Sequence, residues 1–269
     1  MRVVRINGVE YRGAGAPTRA ELDVLAGPGL IETMRARRGR IAHRSRHLNR
    51  LARSREALGM REGPDAARVG SELDAVLAAC GAEDGLVRLV VGARAIVAEA
   101  APVEPLSAEP GAVAAITVAG AWRPEQTAAE HKCTEREGWR RAEAAASAAG
   151  ADVVMGTDAE GRLGEASRAS VFVVAGGCLQ TAPIAGLLPG IGRAVVMELA
   201  GEVLEDPAPA ERWRRAEEIF IVSALRGVTG IVMVDGTPVG DRAPGPVTRR
   251  LAEAYRRYVL GGDRPDPPG

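Results

Sequence analysis

Between residues 2 and 11, apolar and polar positions alternate on either side of an Asn-Gly pair in "RVVRINGVEY", which predicts two short strands and a tight turn. The pattern returns in "GLIETMRARRGRIA", with a turn near Arg38-Gly39. The period then lengthens. "RHLNRLARSREALGM" sets Leu48, Leu51 and Leu58 among charges, the spacing of an amphipathic helix that ends near Gly59. "DAARVGSELDAVLAACG" predicts a second helix closed by Gly81, and "GLVRLVVGARAIVAEAAPV" two further strands. "APVEPLSAEPGA" has the Pro-rich composition of a linker. Beyond it come a strand in "AVAAITVAGAW", the segment "HKCTEREGW", an Ala-rich helix, strands in "ADVVMGTD" and "ASVFVVAGGCLQTAP", and a helix in "LPGIGRAVVMELAGEVL". "AEEIFIVSALRGVTGIVMVDGTPVG" adds strands and "GPVTRRLAEAYRRYVLGG" a last helix. Strands and helices alternate without a regular βαβ rhythm, so the expectation is an α+β fold in two domains. Residues 1–105 would form a small N-terminal domain, 106–122 a linker and first strand, and 123–262 a larger domain. Residues 263–269, "DRPDPPG", read as a disordered tail.

Composition narrows the function classes. With 35 acidic and 35 basic residues the chain has no electrostatic footprint for nucleic acid or an anionic membrane. No run reaches the length of a membrane span, and the polar start lacks an apolar signal core, so the chain reads as soluble and cytoplasmic. Cys80, Cys133 and Cys178 are scattered without metal-ligand or disulfide spacing. Aromatic residues are only 3% of the chain, which argues against an aromatic-lined groove.

Candidate chemistry begins with Lys132, the sole lysine among 35 Lys and Arg residues. A surface cation can be either type, but a nucleophilic amine cannot be a guanidinium, which stays protonated. "GRLGEASRASVF" places Glu165 in a loop before an apolar strand. "LLPGIGRAVV" places Gly190, Ile191 and Gly192 at the opening of a helix, whose free N–H groups suit a phosphate. A lysine, an acid and a phosphate-binding helix start are what pyridoxal phosphate requires: an amine for the Schiff base, a carboxylate for the ring nitrogen, and a phosphate cradle.

The order of these segments resembles the fold-type-IV pyridoxal-phosphate enzymes, which include branched-chain and D-amino-acid aminotransferases and 4-amino-4-deoxychorismate lyase. The resemblance runs from about residue 27 to 240. It implies a two-domain architecture like that of D-amino-acid aminotransferase, a small-molecule amino substrate and a homodimer. "HLNRL" is similar to the helix bearing the family's phosphate arginine, which implies that role for Arg50. "HKCT" matches the Schiff-base lysine, "GEASRASVF" the strand of the ring-nitrogen acid, and "LPGIGR" the phosphate turn. "VSALRGVTGI" is similar to the second phosphate-side loop and brings in Ser223 and Ala224. Gly192 stands where the family often has Thr, and Ser170 and Ala166 replace a common Asn and Gly.

The family resemblance leaves the reaction open. The shortness of the chain and "SALRGV" put the lyase first, with Thr33 as a hydroxyl near the lysine. A class IV aminotransferase is the alternative, and a non-catalytic relative acting as a binding subunit the second. Arg88 and Arg94 are candidate carboxylate anchors. His43 and His47 have the spacing of half a metal site but no third ligand, and Cys133 reads as a small buried filler.

Overall fold

The computed structural model describes residues 1–261, so the expected tail at 263–269 lies outside the described residues. The chain divides into two compact units. One comprises Met1–Pro105 with His131–Glu135, the other Leu106–Glu130 with Arg136–Val259.

The first unit contains β1 (Val3–Ile6), β2 (Val9–Arg12), α1 (Arg19–Ala26), β3 (Gly29–Arg37), β4 (Arg40–Ile41), α2 (Arg44–Ala57), α3 (Ala66–Cys80), β5 (Asp84–Gly92) and β6 (Ile96–Pro102). Its strands form one antiparallel sheet in the order β2-β1-β6-β5-β3-β4. Both anticipated hairpins are present. Their two-residue turns hold Asn7 and Gly8 at φ 50° and 91°, and Arg38 and Gly39 at 47° and 76°, the left-handed geometry that suits sheet twist. Leu51, Leu73 and Val76 from α2 and α3 bury one face against Met34, Val87 and Leu89. On the other face Leu22 and Ala26 of α1 pack on Val90 and Val97. The helix α1 is absent from the sequence reading, although Thr18 and Glu21 form a reciprocal capping box at its start.

Residues 131–135 run along the edge of β3. The Ile31 N–H donates to the Lys132 carbonyl at 2.7 Å, Thr134 N–H donates to the Gly29 carbonyl at 2.8 Å, and Cys133 bridges Leu30. Main-chain pairing therefore groups Lys132 with the first unit, which corrects its expected assignment to the larger domain. The helix expected after this segment starts at Glu137.

The second unit contains β7 (Ala112–Val118), α4 (Glu137–Ala148), β8 (Val153–Thr157), β9 (Leu163–Ala166), β10 (Ala169–Ala175), β11 (Cys178–Thr181), α5 (Ile191–Ala200), β12 (Leu204–Glu205), α6 (Ala210–Trp213), β13 (Glu218–Ser223), β14 (Gly227–Val234), β15 (Thr237–Pro238) and α7 (Pro246–Leu260). Strands β10, β13, β14, β7, β8 and β9 follow one another, and β9 pairs back onto β10, so the six close into a barrel. The β14–β7 and β7–β8 contacts are parallel and the other contacts around the barrel antiparallel. Met155, Leu163, Val171, Ile219 and Ile231 share one core. Phe172 and Phe220 stack at 5.0 Å in another, with Val195 of α5 and Leu251 of α7. Glu165, expected in a loop, lies on β9.

Candidate active site

In the first unit, strand alternation turns Leu30, Glu32 and Met34 toward α2. Leu30 and Met34 are ordinary core residues there; Glu32 is a carboxylate only 2% exposed. Three donors satisfy it. Arg50 reaches it through Nε at 2.9 Å and Nη2 at 2.6 Å, and His47 Nδ1 lies at 2.7 Å. Burial alone would raise the Glu32 pKa; the His47 and Arg50 contacts win and hold it down at about 2. Burial pushes the His47 pKa down despite Glu32, so the ring is neutral near pH 7. An ionised Glu32 can only accept, so Nδ1 must carry the His47 proton. The Nε2 atom is then a bare acceptor, and it is buried without a hydrogen-bond partner.

Arg50 is thus placed on α2 as the sequence predicts, with two of its nitrogens committed to Glu32. Glu32 and His47 were missed as a pair. The available signal was a Glu at an inward position of β3. A carboxylate does stand beside His47, yet no group of three potential metal ligands occurs among the described residues. Thr33 points to the opposite sheet face, where it pairs in register with Arg88. Arg88 is bonded to Asp23 of α1, and Arg94 lies against Gly27. Burial raises the Cys133 thiol, consistent with a packing role.

In the second unit the expected residues fall into one row. Glu165 on β9 pairs with Ser170 on β10, which pairs with Val222 on β13, one residue before Ser223. The start of α5 abuts this row. A Cβ on Gly190 would sit 2.6 Å from Ser170 Oγ. One on Gly192 would meet Val222 Cγ2 at 3.0 Å, the Ser223 carbonyl carbon at 3.2 Å and Ala224 N at 3.4 Å. A side chain at position 192 would require this approach of helix to strand end to give by a few tenths of an ångström. Gly190 caps α5 without a side-chain hydrogen bond. Sequence reasoning gathered Glu165, Gly190, Ile191, Gly192, Ser223 and Ala224, and the fold brings them to one side of the barrel.

Glu165 has no ion pair among the described residues. Loss of water pushes its pKa up to about 8, opposed by the Arg136 charge and the Leu188 N–H. It shares a cavity lining with Ser170, Thr181, Leu187 and Arg193. A partly enclosed carboxyl without a direct ion pair, beside a helix start closely approached at Gly190 and Gly192, fits a protonated ring nitrogen and a phosphate.

Residues 29–234 match the family described as Amino-transferase class IV. The chain belongs to this family. Among its class IV relatives is a branched-chain-amino-acid aminotransferase of Pseudomonas aeruginosa, 34% identical over 116 residues, which are 42% of this chain and 38% of that protein. A D-alanine aminotransferase of Staphylococcus aureus is 31% identical over 100 residues, 35% of this chain and 36% of the relative. These matches span well under half of the relatives' lengths. Among solved structures, the branched-chain aminotransferase of Thermoproteus uzoniensis with norvaline superposes with a TM-score of 0.79 at 28% identity, covering 97% of this chain and 95% of that one. The class IV family is pyridoxal-phosphate-dependent, and the fold-type-IV architecture is the one the sequence resemblance implies.

Proposed function

We propose that the chain is a pyridoxal-phosphate-dependent aminotransferase that takes an amino acid as donor. The observation that carries this reading is the row in the second unit, where Glu165 lies beside the start of α5, closely packed at Gly190 and Gly192. When bound, pyridoxal phosphate supplies an electron sink for charge developing at the substrate's α-carbon. Lys132 Nζ would provide the amine that holds the cofactor and a base for the substrate's α-proton. Glu165 would hold a proton on the ring nitrogen. The first-turn N–H groups of α5 and the Ser223–Ala224 backbone would hold the phosphate.

The lyase placed first by the sequence becomes the second reading. Only chain length and "SALRGV" favour it, whereas the relatives that support the first reading are named aminotransferases. The test is amine transfer from a panel of L- and D-amino acids to a 2-oxo acid. Transfer that disappears in Lys132→Ala supports the aminotransferase. Pyruvate and 4-aminobenzoate released from aminodeoxychorismate, with no transfer from any donor, would restore the lyase.

A further inference from the structure

Ser167 and Arg168 form the two-residue turn between β9 and β10, directly after the pairs Glu165↔Ser170 and Ala166↔Ala169. Both turn residues are gripped from outside the hairpin. Arg136, immediately before α4, donates through Nη2 to the Ser167 carbonyl. Arg168 donates to Glu143 of α4 through Nε at 2.8 Å and also through Nη2. Ser167 itself is 3% exposed, and its N–H donates to the Val154 carbonyl of β8. The hairpin that presents Glu165 is therefore held at its tip by α4 and at its side by β8.

We propose that Arg136 is a positioning residue for Glu165: it clamps the β9–β10 turn and supplies the positive charge that its carboxylate faces. The inference rests on the reading of Glu165 as the ring-nitrogen partner. Arg136 shares its charge between Glu143 and Glu165; Glu143 is also bonded to Arg168, and Arg193, which lines the same cavity as Glu165, is tied to the Ala182 carbonyl and Glu205. Arg140 and Arg168 face Arg136 rather than Glu165. From its own side Glu165 meets the Leu188 N–H and the Arg136 field. An arginine serves this role because it stays charged at every working pH while its fork also holds a carbonyl. Its charge favours the carboxylate over the neutral acid, so a proton shared between Glu165 and a ring nitrogen stays with the nitrogen.

The measurement is the ratio of dissociation constants for pyridoxal phosphate and for its analogue with a ring C–H in place of the nitrogen. Wild type is expected to prefer the nitrogen ring by about tenfold or more, a difference of roughly 1.4 kcal/mol. Glu165→Gln should abolish that preference, Arg136→Met should cut it severalfold, and Arg136→Lys should retain most of it. A second readout uses cofactor-free protein. The Trp122 ring packs on Gly164, the residue before Glu165, and that of Trp139 on Gly156, which also approaches the Glu165 carbonyl. Their fluorescence should titrate near pH 8 in wild type and upward of that in Arg136→Met, with no transition in Glu165→Gln. If Glu165→Gln leaves the ring preference intact, the reading of Glu165 itself fails. If Glu165→Gln loses it while Arg136→Met keeps both the preference and the titration midpoint, only the Arg136 inference is overturned. If Glu143→Gln, which loosens the turn but keeps the Arg136 charge, reproduces Arg136→Met, the electrostatic half is overturned.

Discussion

Glu32 and Glu165 both lose water on folding; the neighbours of Glu32 overcome that loss, and those of Glu165 do not. Glu32 gains three donors and falls to about 2, so the stability it contributes is present above the unfolded value near 4.5 and is lost as the pH drops toward 2. His47, held neutral, adds an earlier loss, because the unfolded imidazole takes up a proton below about 6.5 that the folded one refuses. Acid unfolding is expected to begin near pH 6 and steepen below pH 4.5, a course that urea melts across that range would follow. Glu32→Gln at neutral pH leaves a buried guanidinium short of its anion, and a loss of about 3–5 kcal/mol is expected. A loss under 1 kcal/mol in the same melts would mean that Arg50 finds another partner. Glu165 has the reverse sign. Its folded value of about 8 means stability declines as the pH rises from 4.5 through 8. Cofactor-free Glu165→Gln should therefore melt several degrees above wild type at pH 9 and at nearly the same temperature at pH 4.5; equal melting at both would deny the enclosure of this carboxyl. At this scale the sequence spoke clearly for Lys132, since its rarity was itself the signal. It was silent on Glu32, whose meaning depends on Arg50 and His47 arriving from α2.

Elements were legible where local chemistry decides them. Asn7-Gly8 and Arg38-Gly39 announce two-residue hairpins by residue type, and α3 ends at Gly81 in the left-handed region. The short pieces were not legible. The four residues of β9 give no period, and they become a strand because β8 and β10 supply partners on both sides. The junction of α5 with β13 carries its own prediction. Gly192→Thr restores the residue the family often has, but its Cβ would press on Val222, Ser223 and Ala224 at 3.0–3.4 Å. Overpacking of this kind costs about 1–3 kcal/mol and should shift the helix start, so pyridoxal phosphate is expected to bind several times more weakly to Gly192→Thr in an equilibrium titration. Tighter binding would mean that the backbone yields and the hydroxyl reaches the phosphate.

At the scale of the molecule, two α+β units were readable from the Pro-rich stretch after residue 100 and from the change in strand rhythm. Barrel closure was not, because it depends on β9 meeting β10 and on parallel pairs whose partners lie far apart in sequence. The grouping of residues 131–135 with the first unit was equally hidden, since backbone hydrogen bonds to β3 leave no mark on side-chain pattern. Lys132→Ala should consequently fold as wild type does by circular dichroism and lose all turnover; retained turnover would remove the lysine from the chemistry.

That same attachment has a consequence for repair. Peptide groups fix where residue 132 sits on the β3 edge. Truncation to alanine should leave the backbone undisturbed and open a slot the length of three methylenes and an amine. A small primary amine dissolved in the buffer, methylamine or ethylamine, could occupy that slot and stand in for the missing base. Turnover of Lys132→Ala should then climb with amine concentration and fall off as the amine outgrows the slot, which would make the lysine a replaceable part in a scaffold that does not depend on it.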